Sequence, residues 1–301
     1  MATVAAVRTM QAGVVEGPRR ATVVRVPVPT PQGEGVLVKI EGCGVCGSNR
    51  PLWEGRPWFG YPLEPGAPGH EGWGVECDTG QRVAFLSDNA FADYATVPPD
   101  ALVPIRVEGP FPGEALACAM NVFARSGIRR GDTVGVVGVG FLGALLVQLA
   151  VDAGARVHAF SRRETAREHA RAFGAATPAE PEDESCDVVI EAAGVQGTLD
   201  LASRLCRQRG RLVVAGFHQD GPRQVDMQLW NWRGLDIVNA HERDPALYVE
   251  GMRAAAAAVA AGQLDPTPLY THTFPLDRLA DAFEIARTRP AGFMKALVTT
   301  G

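Results

Sequence analysis

The spacing of apolar residues changes near residue 122 of this 301-residue chain. Before that point, short apolar runs such as 35–40 and 81–86 are separated by stretches rich in glycine and proline. This pattern is typical of a β-rich domain with many turns. Beyond it, continuous apolar runs alternate with segments of helical spacing. The pattern predicts strands at 132–138, 156–160, 187–194, 211–217 and 235–240, and helices at 141–155, 163–175, 198–210 and 248–264.

The regular alternation of strands and helices predicts an α/β fold with a doubly wound, parallel Rossmann sheet. The pattern changes again at about residue 267, where a strand, a helix and a final strand are expected. We therefore divide the chain into a β-rich domain at 1–121, an α/β domain at 122–266 and a return to the first domain at 267–301.

Composition narrows the classes of partner. The net charge is −5 and the sequence has no basic run, which argues against nucleic acid as the main partner. No segment reaches about 18 uninterrupted apolar residues, so no membrane-spanning helix is expected. The N-terminal stretch lacks the apolar core of a signal peptide. Six cysteines are too few for a disulfide framework, and together these features predict a cytoplasmic protein.

A glycine-rich loop opens the second domain. Residues 138–143, GVGFLG, place Gly138, Gly140 and Gly143 in G-x-G-x-x-G register between a predicted strand and a predicted helix. The first glycine permits a tight turn, the second lets the backbone approach a pyrophosphate, and the third lets helix and strand pack closely. We therefore predict that the loop, with Phe141 and Leu142 at the start of the helix, binds a dinucleotide.

The end of the second strand of the sheet indicates which dinucleotide binds. Chains that bind NAD carry an acidic residue there, whereas this chain has Ser161, followed by Arg162 and Arg163. A hydroxyl group and two guanidinium groups favour the 2′-phosphate of NADP(H). The alternative interpretation places both arginines on the solvated start of a helix.

Four metal-capable side chains are spread over the first domain: Cys46, His70, Glu71 and Glu114. Thiolate, imidazole and carboxylate ligands together suit zinc. The glycines and the proline of APGHEGWG, residues 67–74, exclude a helix around the histidine and the adjacent glutamate. No short spacing code links the four residues, so the pattern alone leaves open a hydrogen-bonded histidine without a metal.

Four ordered stretches, CGVCGSN, PGHEGWG, GEALACAMN and VVGVGFLG, resemble the zinc-dependent medium-chain dehydrogenase/reductase family of alcohol and polyol dehydrogenases. The resemblance covers essentially the whole chain. It implies a GroES-like, partly closed β-barrel catalytic domain built from 1–121 and 267–301, into which the Rossmann domain is inserted. It also implies a homodimer or a tetramer that pairs through the strand at 235–240.

The resemblance further implies a catalytic site with one zinc ion. Carried over to this sequence, the family's metal ligands fall on Cys46, His70 and Glu114. Glu71 is also a ligand in polyol-type members, or alternates with water, so the choice between the two glutamates stays open. His70 and Glu71 would face the metal in the cleft between the domains.

The expected reaction is hydride transfer between NADP(H) and an alcohol or carbonyl substrate. Zinc acts as a Lewis acid, Ser48 passes a proton towards solvent, and Lys295 belongs to the cofactor site. One alternative is the reduction of an imine or an activated alkene on the same fold. Another is a non-catalytic NADPH-binding protein, although the intact set of metal-capable residues weighs against it.

Departures from the family pattern are also informative. Residues 85–94 contain no cysteine, so the lobe that carries a second zinc in many members is expected to be absent. Asn49 replaces the aspartate that supports the metal-binding histidine. Three aromatic residues are expected to line the cleft or, equally, to pack in the core: Trp53, Trp58 and Phe59.

Overall fold

The computed structural model describes residues 8–301. The first seven residues of the predicted catalytic domain, and with them the beginning of the stretch assessed for a signal peptide, lie outside the described residues. The described residues up to Ala115 form one compact unit together with Thr267–Gly301, and Leu116–Pro266 form a second unit. No helix within residues 8–301 is both long and apolar enough to cross a membrane.

The described chain begins with strands, continues with alternating strands and helices, and ends with a strand, a helix and a strand. In chain order the elements are β1 (Thr9–Gly17), β2 (Arg20–Pro27), β3 (Val36–Gly44), α1 (Arg50–Glu54), β4 (Glu71–Glu76), β5 (Arg82–Phe85), β6 (Tyr94–Val97), β7 (Leu102–Pro104), α2 (Gly113–Ser126), β8 (Thr133–Val137), α3 (Phe141–Asp152), β9 (Arg156–Phe160), α4 (Glu164–Ala172), β10 (Cys186–Glu191), α5 (Gln196–Leu205), β11 (Cys206–Val214), α6 (Met227–Arg233), β12 (Asp236–Asn239), α7 (Pro245–Ala260), β13 (Tyr270–Pro275), α8 (Leu279–Thr288) and β14 (Lys295–Thr299).

The first unit is built mainly from strands. It contains a hairpin of β1 and β2 and a seven-stranded sheet in the order β13-β14-β3-β4-β5-β7, in which β6 also pairs with β3. β14 runs parallel to β13 and antiparallel to β3, with Leu297 opposite Gly44. The last strand of the chain is therefore built into the sheet, next to the end of β3.

Trp53 packs in the core of the first unit. Its side chain is 2% exposed, and its ring stacks on Phe283 with a centroid distance of 5.1 Å. Its Nε1 donates a hydrogen bond of 3.0 Å to Glu284, and hydrogen bonds from Arg287 and Trp53 lower the pKa of Glu284 to about 2. Of the two interpretations of this tryptophan, core packing is therefore the correct one. Trp58, by contrast, is 60% exposed.

The second unit contains five parallel strands in the order β12-β11-β10-β8-β9. The helices α3, α4, α5, α6 and α7 lie between or after these strands along the chain. α3 is buried continuously from Gly143 to Ala150, which explains why its sequence is apolar on all sides. The α/β fold with a parallel Rossmann-type sheet and a separate β-rich unit is confirmed.

The boundary between α5 and β11 differs from the prediction. The apolar pattern predicts a helix at 198–210, but α5 ends at Leu205 and Cys206 is already extended, with φ −64° and ψ 123°. Cys206 pairs with Cys186 of β10. The hydrogen bonds of the sheet thus replace those of a further helical turn. α6 was not predicted from the apolar pattern, although Asp226 caps it and Gly234 ends it in the left-handed region.

Candidate metal and dinucleotide sites

Three metal-capable side chains of the first unit meet at one point. β3 ends at Gly44, and a short 3-10 turn follows at Gly47–Asn49, so Cys46 lies at the bend between them. β4 begins with Glu71, and His70 directly precedes it. The Sγ of Cys46, a ring nitrogen of His70 and a carboxylate oxygen of Glu71 lie within 4.8 Å of one another. These three ligand types at this separation can bind one metal ion.

Hydrogen bonding prepares one ring nitrogen of His70 for a metal. Nδ1 lies 2.9 Å from the carbonyl oxygen of Pro68, which can only accept, so the proton of the neutral ring is on Nδ1. Nε2 therefore presents a lone pair, and the Oγ of Ser48 lies 3.5 Å from it. Metal-binding histidines commonly donate their second nitrogen in this way, which fixes the orientation of the ring.

The charges around His70 favour a cation. Burial alone lowers the pKa of the imidazole, but the charge and hydrogen bond of Cys46, together with the carboxylates of Glu114 and Glu71, raise the pKa to about 10. The carboxylates of Glu71 and Glu114 thus favour a positive charge close to the ring. A bound cation would supply that charge. Both the ligand atoms and the charge of the site therefore fit zinc.

Glu71 has a second partner on the last strand of the chain. Its side chain is 1% exposed, and the Nζ of Lys295 lies 2.6 Å from its Oε1 and 2.5 Å from its Oε2. Burial by itself lowers the pKa of Lys295, but the charges of Glu71 and Cys46 raise it above its usual value, so the lysine stays protonated. Oε1 accepts the hydrogen bond from Nζ, and Oε2 lies in the same ion pair, so the ammonium group contacts both oxygens of the carboxylate.

A glycine makes room for this carboxylate. A Cβ atom on Gly44 would lie 1.8 Å from the Oε2 of Glu71 and 3.1 Å from the Cε of Lys295. Such distances are far below van der Waals contact, so any side chain at residue 44 would displace the carboxylate. The glycine at residue 44 is thus required for the arrangement of Glu71 and Lys295.

The other predicted residues of the first unit lie near the same group. Glu114, in the first turn of α2, is close enough for its carboxylate to raise the pKa of His70, but it does not belong to the group within 4.8 Å. Asn49 is buried, and its Oδ1 accepts a hydrogen bond of 3.2 Å from the backbone N–H of Cys46. Asn49 therefore holds the cysteine loop, while the Nδ1 of His70 is held by Pro68.

The glycine loop of the second unit has the geometry of a dinucleotide loop. Gly138 has a φ of 98°, and a Cβ atom there would lie 2.7 Å from the Cβ of Ala193. A Cβ atom on Gly143 would lie 2.1 Å from the carbonyl oxygen of Gly138, so only glycine lets α3 pack this close to the loop. A Cβ atom on Gly140 would meet nothing within 4 Å. The backbone at Gly140 is therefore open to a ligand at the N-terminus of α3, where an anion is favoured.

The residues predicted to select the cofactor lie beside this loop. The Oγ of Ser161 accepts a hydrogen bond of 3.3 Å from the backbone N–H of Arg163. The guanidinium of Arg163 donates to the carbonyl oxygen of Val139 at 3.3 Å, and its burial lowers the pKa of this side chain. Arg162 is exposed. Arg163 is thus hydrogen-bonded to the glycine loop, whereas Arg162 faces solvent.

A small pocket opens at the carboxyl ends of β11 and β12. Its lining comes from several elements of the second unit and includes Cys118, Leu142, Ala215 and His241. Ligands of open α/β sheets bind outside the carboxyl ends of the strands. The pocket is therefore a candidate for one end of the dinucleotide.

A buried carboxylate at the same edge of the sheet was not predicted from the sequence. Glu191, the last residue of β10, is fully buried and accepts hydrogen bonds from the backbone N–H groups of Ala193 and Gly194 and from the side chains of Thr198 and His218. The signal was present as an acidic residue at the carboxyl end of β10, directly after the apolar run at 188–190. A carboxylate in that position is expected to have a specific partner.

Several proteins similar to this chain are named as dehydrogenases. The sequence profile of the zinc-binding dehydrogenase family matches residues 142–257. L-Galactonate-5-dehydrogenase from Escherichia coli is 23% identical over 345 aligned positions, which cover 97% of this chain and 99% of that enzyme. 2-Dehydro-3-deoxy-L-galactonate 5-dehydrogenase from Pseudoalteromonas atlantica is 27% identical over 198 residues, which cover 62% of this chain and 56% of that enzyme.

A solved structure extends the similarity to the whole fold. It is the NADP-bound structure of a protein from Sinorhizobium meliloti 1021 assigned as a zinc-binding dehydrogenase. Its sequence is 28% identical, the TM-score is 0.83, and the match covers 97% of this chain and 99% of that one.

A parallel dinucleotide-type sheet with a G-x-G-x-x-G loop, together with a β-rich unit that carries a thiol–imidazole–carboxylate group, defines a two-domain dehydrogenase. The family profile, the relatives and the solved structure agree on the kind of dehydrogenase. In sequence and fold the chain is thus similar to zinc-dependent medium-chain dehydrogenases, the resemblance that its four sequence stretches carry.

Proposed function

We propose that this protein is an NADP(H)-dependent zinc oxidoreductase that interconverts an alcohol and a carbonyl compound by hydride transfer. The observation that carries the proposal is the approach of Cys46, His70 and Glu71 to within 4.8 Å. The open backbone at Gly140 and the NADP-bound relative support the cofactor. The two relatives named for galactonate derivatives make sugar acids the first substrates to test.

The candidate site residues of the first unit have different roles in this proposal. Cys46 and His70 would hold the metal, with Glu71 or Glu114 as the third ligand. Zinc, when bound, supplies a Lewis acid for the substrate oxygen. The hydroxyl of Ser48, partly buried and 3.5 Å from the Nε2 of His70, passes the proton of the alcohol towards solvent.

The residues of the second unit hold the cofactor. The N-terminus of α3, whose first turn contains Phe141 and Leu142, receives the pyrophosphate through its backbone N–H groups. NADP(H), when bound, supplies the hydride donor or acceptor. Ser161 offers a hydroxyl group where a carboxylate would repel the 2′-phosphate, and the exposed Arg162 beside it offers a guanidinium group.

Replacing Arg162 with alanine should weaken the binding of NADPH by about ten- to hundredfold and leave NADH binding nearly unchanged, because a phosphate–guanidinium contact contributes about 1.5–3 kcal/mol. Dissociation constants for both cofactors, measured by fluorescence titration, test this. Arg171→Ala is a matched control, since Arg171 is an exposed arginine of the same region that pairs with Glu164. An equal loss for NADPH and NADH would show that Arg162 does not contact the 2′-phosphate.

Glu114→Gln separates the two candidates for the third ligand. If Glu114 binds the metal, this variant should lose zinc to a chelator at least tenfold faster and lose turnover, while still binding NADPH. If its carboxylate only favours the start of α2, stability should change by about 0.3–1 kcal/mol and zinc should be retained. Glu108→Gln removes an exposed carboxylate before the same helix and serves as the control. Unchanged zinc release and turnover would assign the role to Glu71 or water.

A turnover assay tests the proposed reaction as a whole. Zinc-loaded protein should oxidise or reduce at least one member of a panel of sugar acids, polyols, simple alcohols and their carbonyl counterparts, with a change in NADPH absorbance. Activity confined to imines or activated alkenes would support the alternative reductase. Binding of NADPH without any turnover would support a binding protein.

We expect the functional protein to be a homodimer or a tetramer. β12 is the edge strand of the parallel sheet and pairs only with β11 among the described strands. It carries Ile237 at 39% exposure, and the preceding helix carries Trp232 at 86% exposure. A strand edge next to apolar side chains can pair with a second copy. A monomer by sedimentation at micromolar concentration would contradict this expectation.

The proposed function also includes a cytoplasmic location and a small-molecule substrate.

A further inference from the structure

The second unit contains a charged network that the reaction proposed above does not use. Glu191 is fully buried, while the side chains of His218 and Arg223 are 15% and 16% exposed. The Nε2 of His218 lies 3.0 Å from the Oε2 of Glu191, and the Nε of Arg223 lies 2.9 Å from the Nδ1 of His218. A carboxylate, an imidazole and a guanidinium thus form one continuous chain of hydrogen bonds.

The direction of every hydrogen bond in this network is determined. The Nε of an arginine can only donate, so the Nδ1 of His218 must accept. The ring proton is therefore on Nε2, which donates to Glu191. The other oxygen of Glu191 accepts from the backbone N–H groups of Ala193 and Gly194 at 2.9 and 2.8 Å and from the hydroxyl of Thr198 at 2.6 Å.

The network joins the loops that surround the glycine loop. Ala193 packs directly against Gly138, since a Cβ atom on that glycine would lie 2.7 Å from the Cβ of Ala193. Gly194 packs against the next loop, because a Cβ atom there would lie 2.6 Å from the carbonyl oxygen of Phe217. Arg223 also donates to the carbonyl oxygen of Gly194 at 3.0 Å. The carboxylate of Glu191 therefore connects residues 193–194, which pack behind the glycine loop, to the loop at 215–223.

We propose that Glu191, His218 and Arg223 form a loop latch, a set of positioning residues that holds the loop at 215–223 against the glycine loop and thereby sets the affinity for the dinucleotide. The latch acts through the backbone at 192–194 and not by touching the cofactor. It rests on the dinucleotide binding proposed above. Both connected loops follow the carboxyl ends of parallel strands, where the dinucleotide of such folds binds.

Because the hydrogen-bond directions are fixed, variants that exchange a donor for an acceptor test the latch. In Glu191→Gln, the amide oxygen can keep the three bonds of Oε1, but the amide nitrogen faces the N–H of His218, and two donors meet. The histidine cannot move its proton to Nδ1 while Arg223 donates to that atom. The affinity for NADPH should fall by about tenfold, which corresponds to the loss of one hydrogen bond to a buried charge.

The double variant Glu191→Gln/Arg223→Gln should restore the affinity to within about threefold of wild type. The side-chain oxygen of glutamine and the Nε of arginine are both bonded to Cδ, so Gln can place an acceptor where arginine placed a donor. The proton of His218 can then move to Nδ1, and Nε2 can accept from the glutamine at 191. Arg223→Gln alone should have a small effect, because the amide can turn its nitrogen towards His218 instead.

NADPH titrations of wild type and the three variants decide the proposal, with Ser203→Ala as the control for general destabilisation. Ser203 is a buried residue of α5 that accepts a hydrogen bond of 3.0 Å from Trp230, away from the latch residues along the chain. The control should lower the melting temperature and leave the affinity unchanged. An unchanged affinity in Glu191→Gln, an equal loss in the control, or a double variant no better than Glu191→Gln would each overturn the latch.

Two further measurements do not depend on the cofactor. The nitrogen chemical shifts of His218 should report a proton on Nε2 in the wild type and on Nδ1 in the double variant, and amide exchange at 215–223 should be faster in Glu191→Gln alone. If the wild type binds neither NADPH nor NADH, the proposed function fails, while these two measurements still decide whether the latch exists. Unchanged exchange in Glu191→Gln would overturn it.

Discussion

A Cys46→Ala variant is expected to fold and to bind NADPH, but to lose its zinc and about a thousandfold in turnover. Cys46 supplies the thiolate of the group formed with His70 and Glu71, and its backbone N–H is held by Asn49. A Lewis acid contributes several kcal/mol to the stabilisation of charge on the substrate oxygen, and about 4 kcal/mol corresponds to a thousandfold change in rate. Elemental analysis and a turnover assay on the same preparation measure both effects.

Cys43→Ala is the matched control for this prediction. Cys43 lies three residues earlier on β3, is 1% exposed, and its Sγ donates to the carbonyl oxygen of Gly44. Its removal should cost about 1 kcal/mol of stability and leave one zinc per chain. Two zinc ions per chain in the wild type would contradict the expectation of a single site. Zinc retained at full occupancy in Cys46→Ala would exclude this cysteine as a ligand.

Lys295→Met is expected to destabilise the first unit by about 3–5 kcal/mol, because it leaves the carboxylate of Glu71 buried without its charged partner. The side chains of the pair are 5% and 1% exposed, so water cannot replace the lysine. Adding Glu71→Gln to Lys295→Met removes the uncompensated charge and should recover most of the loss. Chemical unfolding of both single variants and the double variant measures the coupling.

The same variant tests the predicted role of Lys295 in the cofactor site. If the lysine acts on the cofactor, NADPH affinity should fall in Lys295→Met while stability is nearly unchanged. Lys39→Met is the control, since Lys39 is the only other lysine of the sequence and is exposed on β3. A change of less than about 1 kcal/mol in Lys295→Met would show that the ion pair seen in the structure contributes little to stability.

Much of the second unit could be predicted because its signals are local. β8, β10 and the end of β11 carry short, mostly buried apolar runs, and burial on both faces of a parallel sheet requires such runs. The three glycines of the loop were recognisable for the same reason, since the conformation of Gly138 and the close packing of Gly143 each exclude a Cβ atom. α6 could have been found from its cap at Asp226 and its end at Gly234, which are equally local.

The metal-capable residues were recognisable by type but not by arrangement. The sequence contains Cys46, His70, Glu71 and Glu114, and the resemblance to a family named them as a set. Their chemistry alone did not show that the first three approach within 4.8 Å. The folded chain also supplies the support of His70, since its Nδ1 lies 2.9 Å from the carbonyl oxygen of Pro68, whereas Asn49 accepts from the backbone N–H of Cys46.

The sequence by itself determined the class of fold, the dinucleotide loop and the residue types of the metal site, since all of these follow from spacing within a few residues. Only the tertiary structure decided that Lys295 pairs with Glu71, 224 residues away along the chain, and that Trp53 packs against Phe283. The end of α5 and the network around Glu191 were decided in the same way, by a neighbouring strand and a neighbouring loop. A periodic pattern reports which face of an element is buried, but the partner of a buried group depends on which distant segment the fold brings beside it.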